Sequence, residues 1–583
     1  TFYDKKGRVI YAHDKNHFGG YTSNESQLDF RGKIQVSNTT HKRIATSDEL
    51  IISDKFYYDH AERPLQHKQL INQIFPLVTS SDTDLIFSDP VTSSRIDVAT
   101  NSIKLRPGFR ATGSTSLTYS AVIESQENPD AERIAANTYN ELGQLETKKV
   151  GGTADTGLQT LDYTYNIRGW LTHINDVNSL GTDLFAYHLK YVTPTEGSAA
   201  VSNVYNGNIK QVIWKSAQNN LKKSYAFGYD KLNRFSKSIY RENNSLTGGA
   251  GKFETDNLGY DANGNIETLR RKNQAGALMD QLVYHYDDGN KLESIVDTAT
   301  SSGFNNGSTG TSLEDYTYDT NGNLTKDLNK GISTIEYNHL DLVTRVTFSN
   351  GNKIEFDYDA NGSKLQMKNI PVSGSPTTVD YLGGFQYTNT QLQFFPTPEG
   401  YAAKDGSTYK YVYLYKDHLG NNRVSFSDGD LDGSISPVNE ILSNSDYYVM
   451  GLTHAGETLS GIASNYNYKY QGKEQLAFVG YNMYDFGSRM YDASVGRWFN
   501  ADPQNQFASP FLAMGNNWVI AVDPNGEIVP LLIIGGAALI GGAINVATNW
   551  DRIDNFWEGA GHFLTGAGTG VASVTLGPAG LVG

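Results

Sequence analysis

The sequence predicts a mostly β chain assembled from many short hairpins, and three observations carry that reading. The 583 residues hold 37 Tyr and 58 Gly against 16 Pro, with 38% hydrophobic residues. Tyr favours strands and Gly supplies turns, so this balance suits a turn-rich β protein rather than a helical bundle or a disordered chain. The second observation is a phrase that returns: "YDANGN" at Tyr260 to Asn265, "YDTNGN" at Tyr318 to Asn323 and "YDANGS" at Tyr358 to Ser363. The third is spacing. Looser copies stand at Tyr3, Tyr58, Tyr139, Tyr165, Tyr229, Tyr286 and Tyr337, with intervals in the middle of the chain of roughly 20 to 30 residues, the range of repeat architectures. Each unit supplies one aromatic, one turn and one apolar exit. Such strand pairs bury little alone and need neighbours.

In "GYDANGNIETLRR" the pair Asn263-Gly264 is expected to take positive φ at both central positions of a two-residue hairpin turn, with Tyr260 and Ile266 in the flanking strands. The stretch 86–125, ending in "NSIKLRPGFRATGSTSLTYSAVIES", lacks the Tyr-Asp turn. It reads either as a small β insertion of short alternating strands or as a decorated loop. The Gly- and Ser-rich stretches 245–251 and 301–312 read as mobile hairpin tips rather than domain linkers.

Composition excludes several functions. The formal charge is −15, and no Lys/Arg cluster suited to neutralising phosphates is present, so no nucleic-acid partner is expected. Without Cys there is no disulfide, thiolate zinc site or cysteine nucleophile. The 12 His are scattered, and His60 and His67, the nearest approach to a cluster, read as surface or hydrogen-bonded structural groups. Opening at Thr1 without a charged-then-apolar leader, the chain reads as processed or partial, any targeting segment lying outside it.

"DGDLDGSISPVNE", Asp428 to Glu440, places carboxylates at loop positions one, three and five, Gly433 at six and an apolar residue at eight. That is the first half of a calcium loop. Asp428, Asp430 and Asp432 are the candidate ligands, joined by the Ser434 carbonyl and closed by Glu440 or Asn439. The closing Glu falls at position thirteen rather than twelve, and the alternative is an acidic solvated turn.

After Gly526 the composition changes. "IVPLLIIGGAALIGGAINVA", 528–547, runs twenty residues without a charge, long enough to span a membrane, with small residues at helix-packing spacing. A second Gly/Ala-rich stretch, 560–583, makes a helical hairpin plausible.

The Tyr-Asp repeats resemble those of the bacterial Rhs family, a repeat shared with the toxin-complex C-type proteins and the teneurins, over most of residues 1–527. The blocks "YLYKDHLGNNRVSFSD" from Tyr413, "YKYQGKEQ" from Tyr468 and "YNMYDFGSRMYDASVGRWFNADP" from Tyr481 look like the Rhs repeat-associated core. The resemblance implies a β-sheet spiralling into a hollow shell over 1–400, a core or plug over 401–527, and an apolar pretoxin segment over 528–583 that is either sheltered in the shell or inserted in a membrane. It implies a secreted or cell-surface bacterial protein that encapsulates and delivers its own C-terminal toxin, with a secretion machinery as further partner. A cell-surface adhesion or glycan-binding protein is the alternative. The family also carries an aspartic-protease-like centre that cuts the chain after a DPxG-plus-apolar motif. Asp502 in "NADPQNQ" and Asp523 in "AVDPNGE" match its two Asp-Pro positions. Two close carboxylates are needed so that one stays protonated while the other activates water. Here Asn505 replaces the first Gly, and Glu527 stands before the expected cut at Glu527/Ile528, so both Asp-Pro pairs also read as turn formers and self-cleavage is expected to be weak or absent.

Overall fold

The computed structural model describes residues 1–75, 128–194, 201, 203–299, 303–307, 314–454 and 466–529, together with four short strands between 84 and 123. Strand accounts for 48% of the described residues and helix for 2%. Among the described residues the helical turns are three-residue 3-10 turns at Tyr470–Gly472, Phe478–Gly480 and Met514–Asn516, and no helix is long and apolar enough to cross a membrane. The expected helical segment at 528–583 lies almost wholly outside the described residues.

The chain forms two compact units, Thr1–Ala136 with Gly151–Asp155, and Asn137–Val150 with Thr156–Gly583. In the first, strands Phe2–Tyr3, Val9–Lys15, Gly19–Leu28, Ile34–Ile44, Leu50–Tyr58 and Pro64–Ile71 form an antiparallel meander, and Glu132–Tyr139 pairs with the last of them. Its buried apolar cluster is small: Val36, Leu70, Phe75 and Ala131. The region around 86–125 does form strands, but they pair in parallel, Asp84–Phe87 with Ser102–Leu105 and Arg95–Ala99 with Tyr119–Ile123.

The second unit is larger. One antiparallel meander runs from Leu145–Val150 to Leu292–Asp297, and a 13-stranded one runs from Tyr316–Tyr318 to Ile441–Asn444. A four-stranded sheet follows: Glu474–Leu476, Met483–Asp485, Met490–Asp492 and Arg497–Trp498. Residues of all three, from Leu145 to Val519, share one apolar core. Alternation along the wall strands places one side chain in two on this core: Phe185, Tyr187 and Leu189 are buried in it, while His188 between them faces the other way.

The turn differs from the two-residue form expected. Tyr260 pairs with Ile266, leaving a five-residue loop. The Asp261 N–H donates to the Asn265 carbonyl at 3.0 Å and the Gly264 N–H to the Asp261 carbonyl at 3.2 Å. Of the Asn263-Gly264 pair only Gly264 has positive φ, +89°. This is a type I turn closed by a bulge residue in the left-handed region, a geometry that keeps the strand twist. It wins because the leading Asp has more to accept. Asp319 Oδ1 takes the N–H groups of Asn321 and Asn323 at 2.9 and 2.8 Å, donors a two-residue loop does not offer. Where a repeat lacks Gly, Glu62, Asn233 or Asp341 occupies the left-handed position at φ 65°, 64° and 57°.

Tyrosine hydroxyls link a repeat to the one before by donating to an upstream carbonyl. Tyr165 reaches Leu145 at 2.9 Å, Tyr191 reaches Leu171 at 2.7 Å, Tyr229 reaches Ile209 at 2.6 Å and Tyr286 reaches Ile266 at 2.7 Å, each over 20 residues. Tyr260 reaches Phe235 over 25 residues and Tyr337 reaches Leu324 over 13. The 245–251 stretch is better anchored than a mobile tip, because Leu246 is buried against Val177, Leu180, Ala186 and Ile213.

Candidate functional site

Residues 489–529 lie against the turn-bearing edge of the wall in the second unit. Three Asn-Gly-Asn turns there, at 206–208, 263–265 and 321–323, each meet a side chain from this segment. Asn517 Nδ2 donates to Asn208 Oδ1 at 3.1 Å, Arg497 Nη1 to Asn265 Oδ1 at 3.2 Å and Asn500 Nδ2 to Asn323 Oδ1 at 3.1 Å. Asn265 also donates to Asp261 at 2.7 Å and to Asn290 at 2.8 Å, and is fully buried. Arg497 reaches the Tyr286 hydroxyl at 3.0 Å and the Asn290 carbonyl at 3.0 Å. Arg271 Nη2 donates to the Ser494 carbonyl at 2.6 Å while Nε pairs with Asp280 at 2.7 Å. Lys364 Nζ, under the last full phrase, sits between Glu474 at 2.8 Å and Asp485 at 2.7 Å. Buried polar groups of this kind are tolerated only when paired, so they fix one seating of the segment on the wall.

The two Asp-Pro aspartates come together here, around Arg489. Arg489 Nη2 lies 3.3 Å from Asp523 Oδ2 and Nη1 lies 3.7 Å from Asp502 Oδ1, with all three residues buried. The guanidinium lies 4.3 Å from the centre of the Trp498 ring, and its Nε donates to the Gly526 carbonyl at 2.5 Å. Both carboxylates also hold their own turns. Asp502 accepts the N–H groups of Gln504 and Gln506 at 3.0 Å each, and Asp523 accepts that of Gly526 at 2.7 Å. Burial pushes the Asp523 carboxyl above the ordinary carboxylate range against the opposing pull of Arg489, and burial lowers the Arg489 guanidinium. Glu527 Oε1 accepts from Ser488 Oγ at 2.9 Å. Chemically, this is a pair of carboxylates bridged by one cation next to a turn peptide. The carbonyl that Arg489 engages belongs to the Gly526–Glu527 bond, one residue before Glu527/Ile528. Sequence reasoning missed Arg489 and the Asn contacts. The available signal was the second Asn of "NGN", which the looser copies lack.

The acidic loop keeps its three candidate aspartates together and turns Glu440 away from them. Oxygens of Asp428, Asp430 and Asp432 lie within 4.8 Å of one another. Asp428 Oδ2 accepts the Gly433 N–H at 2.9 Å, and Asp432 Oδ1 accepts from the Ser434 N–H and hydroxyl at 2.8 and 2.7 Å. The Ser434 hydroxyl bond holds the Asp432 carboxyl below its ordinary pKa. Glu440 is buried and closes the loop through backbone instead, accepting the Gly429 and Ser436 N–H groups at 2.5 and 2.8 Å. Three oxygens from one tight turn suit a hard cation such as Ca2+.

Residues 243–373 match the family model described as the teneurin YD-shell. A curated relative, salivary gland surface protein 1 of Aedes aegypti, is 28% identical over 259 residues, 41% of this chain and 8% of that protein. Among solved structures, the TcdB2-TccC3-Cdc42 complex is similar over 92% of this chain and 26% of its own, at 14% identity and a TM-score of 0.50. TcdB2-TccC3 is similar over 90% and 26%, at 14% identity and 0.49. The chain thus spans a small part of the curated relative and about a quarter of the solved chains. The turn, the Tyr link and the meander accord with the match of residues 243–373 to the YD-shell model, and the likeness to the TcdB2-TccC3-Cdc42 complex is one of fold.

Proposed function

We propose that this chain is the enclosing part of an Rhs-type protein that shelters and delivers a C-terminal effector. The single observation behind this reading is the seating of residues 489–529 on the turn edge, through buried Arg497, Asn500 and Asn517 paired with Asn265, Asn323 and Asn208 of three separate repeats. Such an arrangement closes one edge of a repeat sheet with the segment that leads directly into 530–583. Enclosure would account for the uncharged, apolar composition of 528–547. A secretion machinery as partner and display outside the cell follow from the same reading, and the name of the Aedes relative, a surface protein, accords with the second. Limited proteolysis of the native protein tests it. Peptides from 530–583 should survive protease at concentrations that clip exposed loops, and should vanish once Arg497→Ala and Asn500→Ala together loosen the plug. Immediate loss of 530–583 from the native protein would refute enclosure.

The reading carries two subsidiary proposals. Asp502 and Asp523 act as turn and plug residues bridged by Arg489, with the Glu527–Ile528 bond left joined. Asp428, Asp430, Asp432 and the Ser434 carbonyl hold one Ca2+, with Glu440 bracing the loop.

A further inference from the structure

On the face of the wall opposite the core, two histidines stand directly across adjacent strands. His173, in Leu171–Ile174, pairs in register with His188, in Phe185–Lys190. The flanking pair Ile174 and Tyr187 points into the core, so alternation sends both imidazoles outward. Both are half-buried. The rings stack, 3.9 Å apart between centroids at 29°, so their in-plane lone pairs run side by side and one ring must turn out of the stack for both to reach one ion.

Two threonine hydroxyls hold the His173 ring by Nδ1: Thr164 Oγ1 lies 2.8 Å and Thr172 Oγ1 3.1 Å from it, and Thr172 Oγ1 also reaches the Thr164 carbonyl at 3.0 Å. With Nδ1 engaged by these oxygens, Nε2 is the nitrogen left for a ligand. This is how metal-binding imidazoles are oriented: the far nitrogen is tied to an oxygen and the near one is presented. Neither ring nitrogen of His188 has a hydrogen-bond partner among the described residues.

We propose that His173 and His188 bind one borderline divalent transition-metal ion, of the Zn2+, Ni2+ or Cu2+ class, through both imidazoles, with water completing the coordination. Nitrogen ligands select this class over Ca2+ or Mg2+. Burial lowers the pKa of both rings, with the partner ring and Lys190 adding to it at His188. Asp176, whose charge acts on both rings, offsets part of the incoming cation's charge.

Cu2+ is the sensitive probe because it heads the affinity order of such ligands. The full chain, in excess Ca2+ to occupy carboxylates, is titrated with Cu2+ and followed by electron paramagnetic resonance and calorimetry. One site with the coupling of two imidazole nitrogens is expected. His188→Ala should abolish it, and Thr164→Val, which removes an orienting oxygen, should weaken it about tenfold, with melting in the absence of metal unchanged. A Cu2+ site of equal affinity in His188→Ala overturns the proposal. So does a parent spectrum with fewer than two imidazole nitrogens, a result that depends on no variant folding.

Discussion

Two residues show how single side chains set the stability of the wall. The Tyr229 hydroxyl donates to the Ile209 carbonyl from within the core edge, and burial raises its pKa well above the ordinary value, so it remains a donor at any working pH. Tyr229→Phe keeps the ring and strands that carbonyl. We expect a loss of about 1–3 kcal/mol, read as a lower urea midpoint with unchanged slope. Asp327 behaves oppositely. It is fully buried, and Oδ2 has no hydrogen-bond partner. Burial, and then Asp492, push its carboxyl up while Lys330 pulls down, leaving it at about 7. An acid whose folded pKa stands above its unfolded value contributes its full stability below the unfolded value, near pH 4. That contribution falls away as pH rises through about 7. The urea midpoint of the parent should therefore drop between pH 5 and pH 8 more than that of Asp327→Asn, and equal drops would show that Asp327 is charged throughout.

At the scale of the element, the hairpin turn was legible in part. "YDANGN" announces a turn, a Gly in the left-handed region and two flanking strands, all of which the fold contains. The loop length was misjudged because Asn-Gly satisfies a two-residue turn as readily as the last positions of a bulged one. What decided was the Asp, whose side chain collects N–H groups two and four residues on. The acidic loop makes the same point. Spacing placed Asp428, Asp430 and Asp432 together, but Glu440 was drawn inward by the Gly429 and Ser436 N–H groups, which spacing does not reveal. With only one loop supplying oxygens, the Ca2+ dependence should be local. Calorimetry should show a Ca2+-dependent rise in melting temperature for the parent that Asp430→Ala with Asp432→Ala removes, and a parent melt insensitive to Ca2+ would exclude the site.

Across the whole molecule, the question is whether the Asp502 and Asp523 pair cuts the chain. A working dyad shares one proton between two carboxylates. Here Arg489 stands between them and neutralises charge, and Glu527 adds a further carboxylate nearby, engaged by Ser488. Both features favour a structural centre. Denaturing intact-mass analysis should return one joined chain. A fragment starting at Ile528, or at Glu527 if the bond engaged by Arg489 is cut, that disappears in Asp523→Asn would establish a protease instead.

The sequence alone determined that the chain is β, that it repeats, and where its turns fall, because Tyr, Asp and Gly act on φ, ψ and hydrogen bonds within a few residues of themselves. It also marked Asp502 and Asp523 as a pair through motif resemblance. The tertiary structure alone decided what those residues meet. Arg489 between the aspartates, Asn517, Arg497 and Asn500 on Asn208, Asn265 and Asn323, and His173 opposite His188 all depend on strand register and on contacts between segments as many as 309 residues apart. Burial then makes each such contact specific, since a polar group sealed from water must find the one partner the fold brings to it.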